Sequence, residues 1–235
     1  MVANGAAGMD CTYEEMRRDP CAVDVEDGLF AEQGGICAYT GHRLRLQKED
    51  PSTNTVRDVD FHIEHLIPQK YCNQPNGNYG KDADYLNMVA CWPRPNCGFE
   101  PSYGARIKNN WPSPQEQGLF ISPLHSSCSA RFKFNNRGEI SCAINGDQSA
   151  EETIKRLRLN DDTLVELRRN AIWGAFHPKG KQIRLNEAKR LRDQHNRDSQ
   201  MLDLGGNVQL REFCFAIRSA LDREIRKLEG IMGRR

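Results

Sequence analysis

From Ser149 onward the apolar residues fall at helical spacing, and that change of pattern constrains the fold more than any other feature of the 235-residue chain. Ser149 precedes Glu151 and Glu152, with Ile154, Leu157 and Leu159 following. Asn160 is placed to cap a helix over Asp161–Phe176, in which Leu164, Leu167, Ala171 and Ile172 share a face. Pro178-Lys179-Gly180-Lys181 breaks it, because proline cannot continue a helical hydrogen-bond ladder. A third helix is predicted over 184–203, ended by Gly205-Gly206, and a last one from Val208 to about Ile231. The last carries Leu210, Phe213, Ile217, Leu221, Ile225 and Leu228 as one stripe. Residues 149–235 are therefore expected to be a helical domain suited to docking a partner.

The earlier part has no such period. Residues 1–26 form an N-terminal segment, small and frayed in character over 1–9, and 27–148 read as short strands, turns and loops. A short helix over Asp24–Gln33 is ended by Gly34-Gly35, and Ile36–His42 reads as a strand and tight turn. Leu44–Thr55 is polar and expected as a loop, and a strand over Val59–Leu66 is stopped by Pro68. The stretch 69–84 is a polar loop, and Asp84–Ala90 a short ordered element leading to Cys91. Ala105–Lys108 is long enough for one or two helical turns, and Leu119–Leu124 has strand character. Ala130–Phe134 and Glu139–Ile144 flank Asn135-Asn136-Arg137-Gly138, a hairpin signal.

Nine cysteines need an explanation. An odd number cannot all pair within one chain, and the N-terminus lacks the basic-then-apolar pattern of a secretory leader, so a metal is favoured over disulfides. No apolar run is long enough to span a bilayer, and the expected location is cytoplasmic. The net charge of +1 hides an asymmetry. Residues 1–150 hold 14 Lys and Arg against 19 Asp and Glu, and residues 151–235 hold 19 against 13. The basic third can contact phosphate backbones or an acidic partner. No Gly-x4-Gly-Lys-Ser/Thr loop is present, so nucleotide hydrolysis of that kind is excluded.

The densest reactive cluster is His62-Ile63-Glu64-His65-Leu66-Ile67-Pro68. On a strand, His62 and Glu64 share one face and His65 points to the other, though a bend before Pro68 can return it. Together they offer an oxygen ligand for a hard cation and an imidazole base. The helical zinc-protease motif needs histidines four apart and does not match. Cys37, Cys91 and Cys97 are candidate ligands of a structural Zn²⁺, with His42 or Cys72 as the fourth. Trp92, Trp111 and Trp173 read as packing residues before base-stacking platforms. The cationic run Lys179–Arg192 reads as a solvated face before a nucleic-acid contact.

The order Cys37-Ala-Tyr, Phe61-His62-Ile63-Glu64-His65-Leu-Ile-Pro68, Tyr85-Leu86-Asn87-Met88-Val89-Ala90-Cys91, Cys97 and Lys108-Asn109 resembles the HNH endonucleases. Within them it is most similar to the PtuB-type branch of Septu and retron-associated anti-phage defence. The similarity continues through Phe120–Pro123, Phe132–Phe134, Gly138–Ile140 and Ala150–Arg168. It implies an α+β fold: a beta-beta-alpha-metal core followed by a C-terminal helical domain. It implies a phosphodiester hydrolase cleaving DNA, with His65 as general base, Glu64 as ligand of a catalytic Mg²⁺ or Mn²⁺, and Asn87 ordering the loop. Asn109 is the leading candidate for the third named residue, Asn96 the next, and His62 can instead complete the metal shell. Arg94, Arg106 and Lys108 become candidate nucleic-acid contacts. The implied partners are DNA and a PtuA-like ATPase of the ABC/SMC kind, with a second copy of the chain as a further candidate. Two alternatives stand beside this: a non-catalytic, zinc-stabilised module binding nucleic acid or protein, and an HNH nuclease of another restriction-type system.

Overall fold

A computed structural model describes residues 11–49, 52, 55–72, 81–206 and 208–232. The segment 1–9 and residues 73–80 of the polar loop lie outside the described residues. The chain opens with two helices, α1 (Tyr13–Arg18) and α2 (Cys21–Glu32). Thr12 caps α1 reciprocally: its hydroxyl accepts from the Glu15 amide at 3.3 Å, and its own amide donates to the Glu15 carboxylate at 2.8 Å. α2 starts at Cys21, earlier than the predicted Asp24, because Pro20 is tolerated at a helix entrance where no amide is needed.

Three two-stranded sheets follow, separate from one another. β1 (Leu46–Gln47) pairs with β2 (Asp58–Val59), β3 (His62–His65) with β4 (Met88–Cys91), and β5 (Phe132–Phe134) with β6 (Ile140–Cys142), all antiparallel. The single strand predicted over Val59–Leu66 is thus two. Asp60 breaks it, its carboxylate taking the Arg45 amide at 2.7 Å and its carbonyl the Arg94 amide at 2.7 Å. Two short helices flank β4 in the chain, α3 (Gln69–Cys72) and α4 (Ala105–Lys108), while Leu119–Leu124 forms no strand. Gln33 clasps β4 from the side: its amide oxygen accepts from Ala90 N at 2.7 Å and its nitrogen donates to Ala90 O at 2.9 Å. The Ala38 amide also donates to that carbonyl at 3.2 Å.

The C-terminal part is helical: α5 (Gln148–Arg156), α6 (Asp162–Phe176), α7 (Leu185–Asp203) and α8 (Cys214–Met232). Asp161, not Asn160, caps α6 by accepting the Thr163 amide at 3.1 Å. Asn160 is instead spent on the hairpin, bonding both the amide and the carbonyl of Ile140. α8 begins later than predicted. Phe213 sits at φ 53°, where a helix cannot run, and its amide bonds Gly41 O. The β5–β6 turn presses onto α6 so closely that a Cβ at Gly138 (φ 87°) would lie 2.2 Å from the Val165 carbonyl. One buried apolar cluster runs from Tyr13 and Leu29 through Met88–Cys91 to Leu164, Ile172, Ile217, Leu221 and Ile225. Among the described residues no helix is long and apolar enough to cross a membrane.

The expected α+β architecture on a beta-beta-alpha-metal core is corrected. Helices dominate the described residues, and the sheets are small and separate. No group of three His, Cys, Asp or Glu side chains able to hold a metal occurs among them.

Candidate functional site

The β3–β4 hairpin places His62 opposite Cys91, Glu64 opposite Val89, and His65 opposite Met88. Strand alternation puts His62 and Glu64 on one face, where His62 Nε2 and Glu64 Oε2 stand 3.9 Å apart. His62 Nδ1 lies 2.8 Å from the Pro93 carbonyl, which makes that nitrogen the proton donor. Burial works against charge on His62, but the Glu64 carboxylate and the Pro93 carbonyl outweigh it and raise its pKa above the ordinary value.

Glu64 does not wait for a cation. The Lys108 ammonium, wholly buried at the end of α4, donates to Glu64 Oε1 at 2.9 Å and to the His65 carbonyl at 2.7 Å. A lysine charge removed from water needs such a partner, and the carboxylate supplies it. Lys108 is therefore an internal counter-ion, not the exposed phosphate contact its sequence context suggested.

His65 is buried on the other face. Its Nε2 lies 2.7 Å from the Asp82 carbonyl, which fixes the Nε2–H tautomer, and the Tyr13 ring meets it edge-on at 4.5 Å. Burial first, with help from the Lys108 charge, lowers its pKa, so the ring is held neutral. Asn87 accepts the Ile67 amide at 2.7 Å and donates to the carbonyls of Ile67 at 3.1 Å and Lys81 at 2.9 Å. It pins the chain after β3 to the start of β4. Its hydrogen bonds go to the backbone and to the Cys72 sulfur, none of them to His65.

The cysteines separate. Cys37 and Cys91 are buried together, with the Trp92 amide donating to Cys37 Sγ at 3.4 Å. Burial alone raises a thiol, yet hydrogen bonds from Cys91, Thr40 and the Trp92 backbone prevail and lower Cys37 to about 5. Its neighbour Cys91 is pushed well up by burial and by that adjacent sulfur. Cys97 is exposed and bonds the Phe99 carbonyl, while Cys72 donates to the Ile67 and Pro68 carbonyls. His42, the other candidate fourth ligand, has Nε2 3.0 Å from the Tyr103 hydroxyl and Nδ1 3.4 Å from Glu212, between the rings of Trp92 and Phe213. It ties the turn after α2 to the approach to α8.

The remaining candidates lie apart. Asn109 is exposed, at φ 46° beyond the end of α4, and Asn96 is exposed at φ 61° in the loop after β4. Arg94 pairs with Asp58 at 3.8 Å, and Arg106 with Glu100.

The donor set therefore does not fit the expected ions. The Glu64 carboxylate is neutralised by Lys108, Cys97 stands apart from the buried Cys37–Cys91 pair, and no cluster of three ligating side chains exists among the described residues. The expectation of Mg²⁺ or Mn²⁺ at Glu64 and of a structural Zn²⁺ is corrected accordingly. With it falls metal-dependent HNH cleavage of DNA in anti-phage defence. The zinc-stabilised form of the binding module falls for the same reason. Two features escaped sequence reasoning. Lys108 sits in the same stretch as Trp111 and Phe120, and its ammonium lies 5.9 Å from the Phe120 ring, an apolar setting that hinted at burial. Trp173, expected in packing, is 64% exposed. No family model and no curated protein matches the chain, so neither HNH membership nor a place in Septu or retron systems has support.

Proposed function

We propose that this chain is a nucleic-acid-binding module that takes single-stranded segments on the exposed side of α6 and the turn after it. One observation carries the reading. Trp173 is exposed, and its indole stacks on His177 with ring centroids 3.6 Å apart and an interplanar angle of 24°. An indole pre-oriented at the surface is a platform for an unpaired base, and such stacking is worth about 1–3 kcal/mol per base. Lys179 and Lys181 follow within one turn, exposed and without an ion pair among the described residues. They supply cations for the phosphate backbone, and the excess of Lys and Arg over residues 151–235 adds to the attraction. In this reading the β3–β4 hairpin is scaffold.

Fluorescence anisotropy with labelled single-stranded and duplex oligonucleotides tests it. Binding is expected to favour the single strand and to weaken as salt rises. Trp173→Ala should cost roughly tenfold in affinity, as loss of one stacked base predicts. Lys179→Ala with Lys181→Ala should flatten the salt dependence. Equal affinity for wild type and Trp173→Ala, or no binding at low salt, would sink the proposal.

A further inference from the structure

A cleft of about 940 Å³ opens between the Ile36–Tyr39 segment, the β5–β6 hairpin and helices α7 and α8, with α6 contributing Arg168. Its walls are apolar in large part, from Phe132, Phe134, Leu157 and Ile225. Yet three buried side chains that line it carry polar atoms without any hydrogen-bond partner: Tyr39 Oη, Arg168 Nε and His195 Nε2. Unpartnered buried polar atoms are uncommon, and three along one cavity point to a ligand that completes them.

Arg168 is the most telling. It is wholly buried, and Nη1 donates to the Leu159 carbonyl at 2.6 Å and, at the limit of bonding distance, to Gly138 at 3.5 Å. The Phe134 ring lies 5.3 Å from its Cζ. No carboxylate pairs with it among the described residues. Burial pulls its pKa down to about 9, with only the Tyr103 phenol opposing that fall. A buried guanidinium ordinarily has a carboxylate or phosphate in its fork.

The other charged groups of the cleft are accounted for as follows. Arg192 pairs with its neighbour Asp193, and Glu229 with Lys189 at 2.6 Å. Glu32 takes the Tyr85 hydroxyl. Arg168, Arg218 and Arg226 then face Glu32, Asp203 and Asp222, three guanidiniums and three carboxylates around apolar walls, with Arg168 the guanidinium that is wholly buried.

We infer that this cleft binds an organic phosphate of nucleotide size, its phosphoryl oxygens in the fork of Arg168 and its flat body against the Phe132–Phe134 wall. The volume lies within the range of small-molecule sites, and three guanidiniums suit a multiply charged anion better than a single carboxylate. The site is independent of the nucleic-acid surface, since Arg168 faces the core while Trp173 faces solvent.

Isothermal titration of ADP and, separately, of inorganic pyrophosphate into the full chain tests this. ADP should bind saturably below about 1 mM, and pyrophosphate several-fold more weakly because it cannot use the apolar wall. Arg168→Met should weaken ADP by about tenfold or more. Arg218→Ser, on the half-buried flank of α8, should weaken it by a smaller factor and keeps the test open if Arg168→Met does not fold. Glu166→Gln, exposed on α6, should leave it unchanged. No saturable ADP binding, equal affinity across wild type and both arginine variants, or pyrophosphate as tight as ADP would each overturn the inference.

Discussion

The β3–β4 hairpin and the cleft beside α8 hold buried polar groups in opposite states. In the hairpin every one of the reactive side chains has its partner within the chain: Lys108 has Glu64, Asn87 has Ile67 and Lys81, and His65 has the Asp82 carbonyl. In the cleft, Arg168, Tyr39 and His195 each retain a buried atom with none. A sequence that looks like a reaction centre thus folds into a closed polar network. The groups left without partners sit instead on α6, on α7 and in the turn after α2, at positions that no reactive cluster marks in the sequence. Residue type alone marks neither state; satisfaction does.

The contrast can be broken at its strongest point first. Removing Lys108 strands the Glu64 carboxylate in a half-dry site, so Lys108→Met should lose about 3 kcal/mol or more of unfolding free energy. Adding Glu64→Gln to it should restore a good part of the loss, as urea denaturation of both variants will show. If the single variant is as stable as wild type, the closed network is not what holds the hairpin. Asn87→Ala comes next, at about 2 kcal/mol, since it leaves backbone groups of Ile67 and Lys81 without their partner.

Arg168→Met should behave differently. Its charge has no carboxylate to strand, only the Leu159 carbonyl to leave without a donor, so the same denaturation series should place its loss at about 1–2 kcal/mol, below that of Lys108→Met. A loss as large as that of Lys108→Met would make Arg168 part of a hidden ion pair and erase the difference between the two regions.

The smallest effect is in the pH dependence of stability. Burial first, and then the charges of Arg211 and Arg218, lower the pKa of His195. The folded chain therefore binds its proton less readily than the unfolded chain does. The stability this confers is complete above the unfolded value of about 6.5 and is lost as pH falls through the depressed folded value. His195→Gln should flatten the fall in urea midpoint between about pH 7 and 5. Saturating ADP should steepen or flatten that same fall only if it contacts the ring. An unchanged slope in His195→Gln would show that the imidazole titrates as it does in water.

The helices after Ser149 were legible because their apolar period is long, and the β5–β6 hairpin because Asn135–Gly138 admits few other conformations. What escaped is physically consistent. β1 and β2 are two residues each, too short for any alternation, and they exist because Arg45 and Asp60 lock them side by side. The late start of α8 depends on Phe213 being drawn to Gly41, a contact remote in sequence. The candidate site was legible as to which residues are special: His65, Asn87 and Glu64 are all buried or half-buried and fully engaged. It was not legible as to why, because the decisive partner of Glu64 lies 44 residues away on α4. Three sulfurs spaced as ligands likewise said nothing about Cys97 being left outside.

The clasp of Gln33 on Ala90 has a consequence for what may approach the hairpin. A two-stranded ribbon ordinarily offers an open backbone edge, a template onto which a foreign strand can be added. Here one side-chain amide imitates a third strand, meeting both the N–H and the C=O of Ala90, and the Ala38 amide shares the carbonyl. That flank of β4 is sealed against extension by an extended peptide. An added strand is thereby denied a foothold at Ala90, and on that flank the ribbon resists the templated growth that makes naked strand edges prone to aggregate.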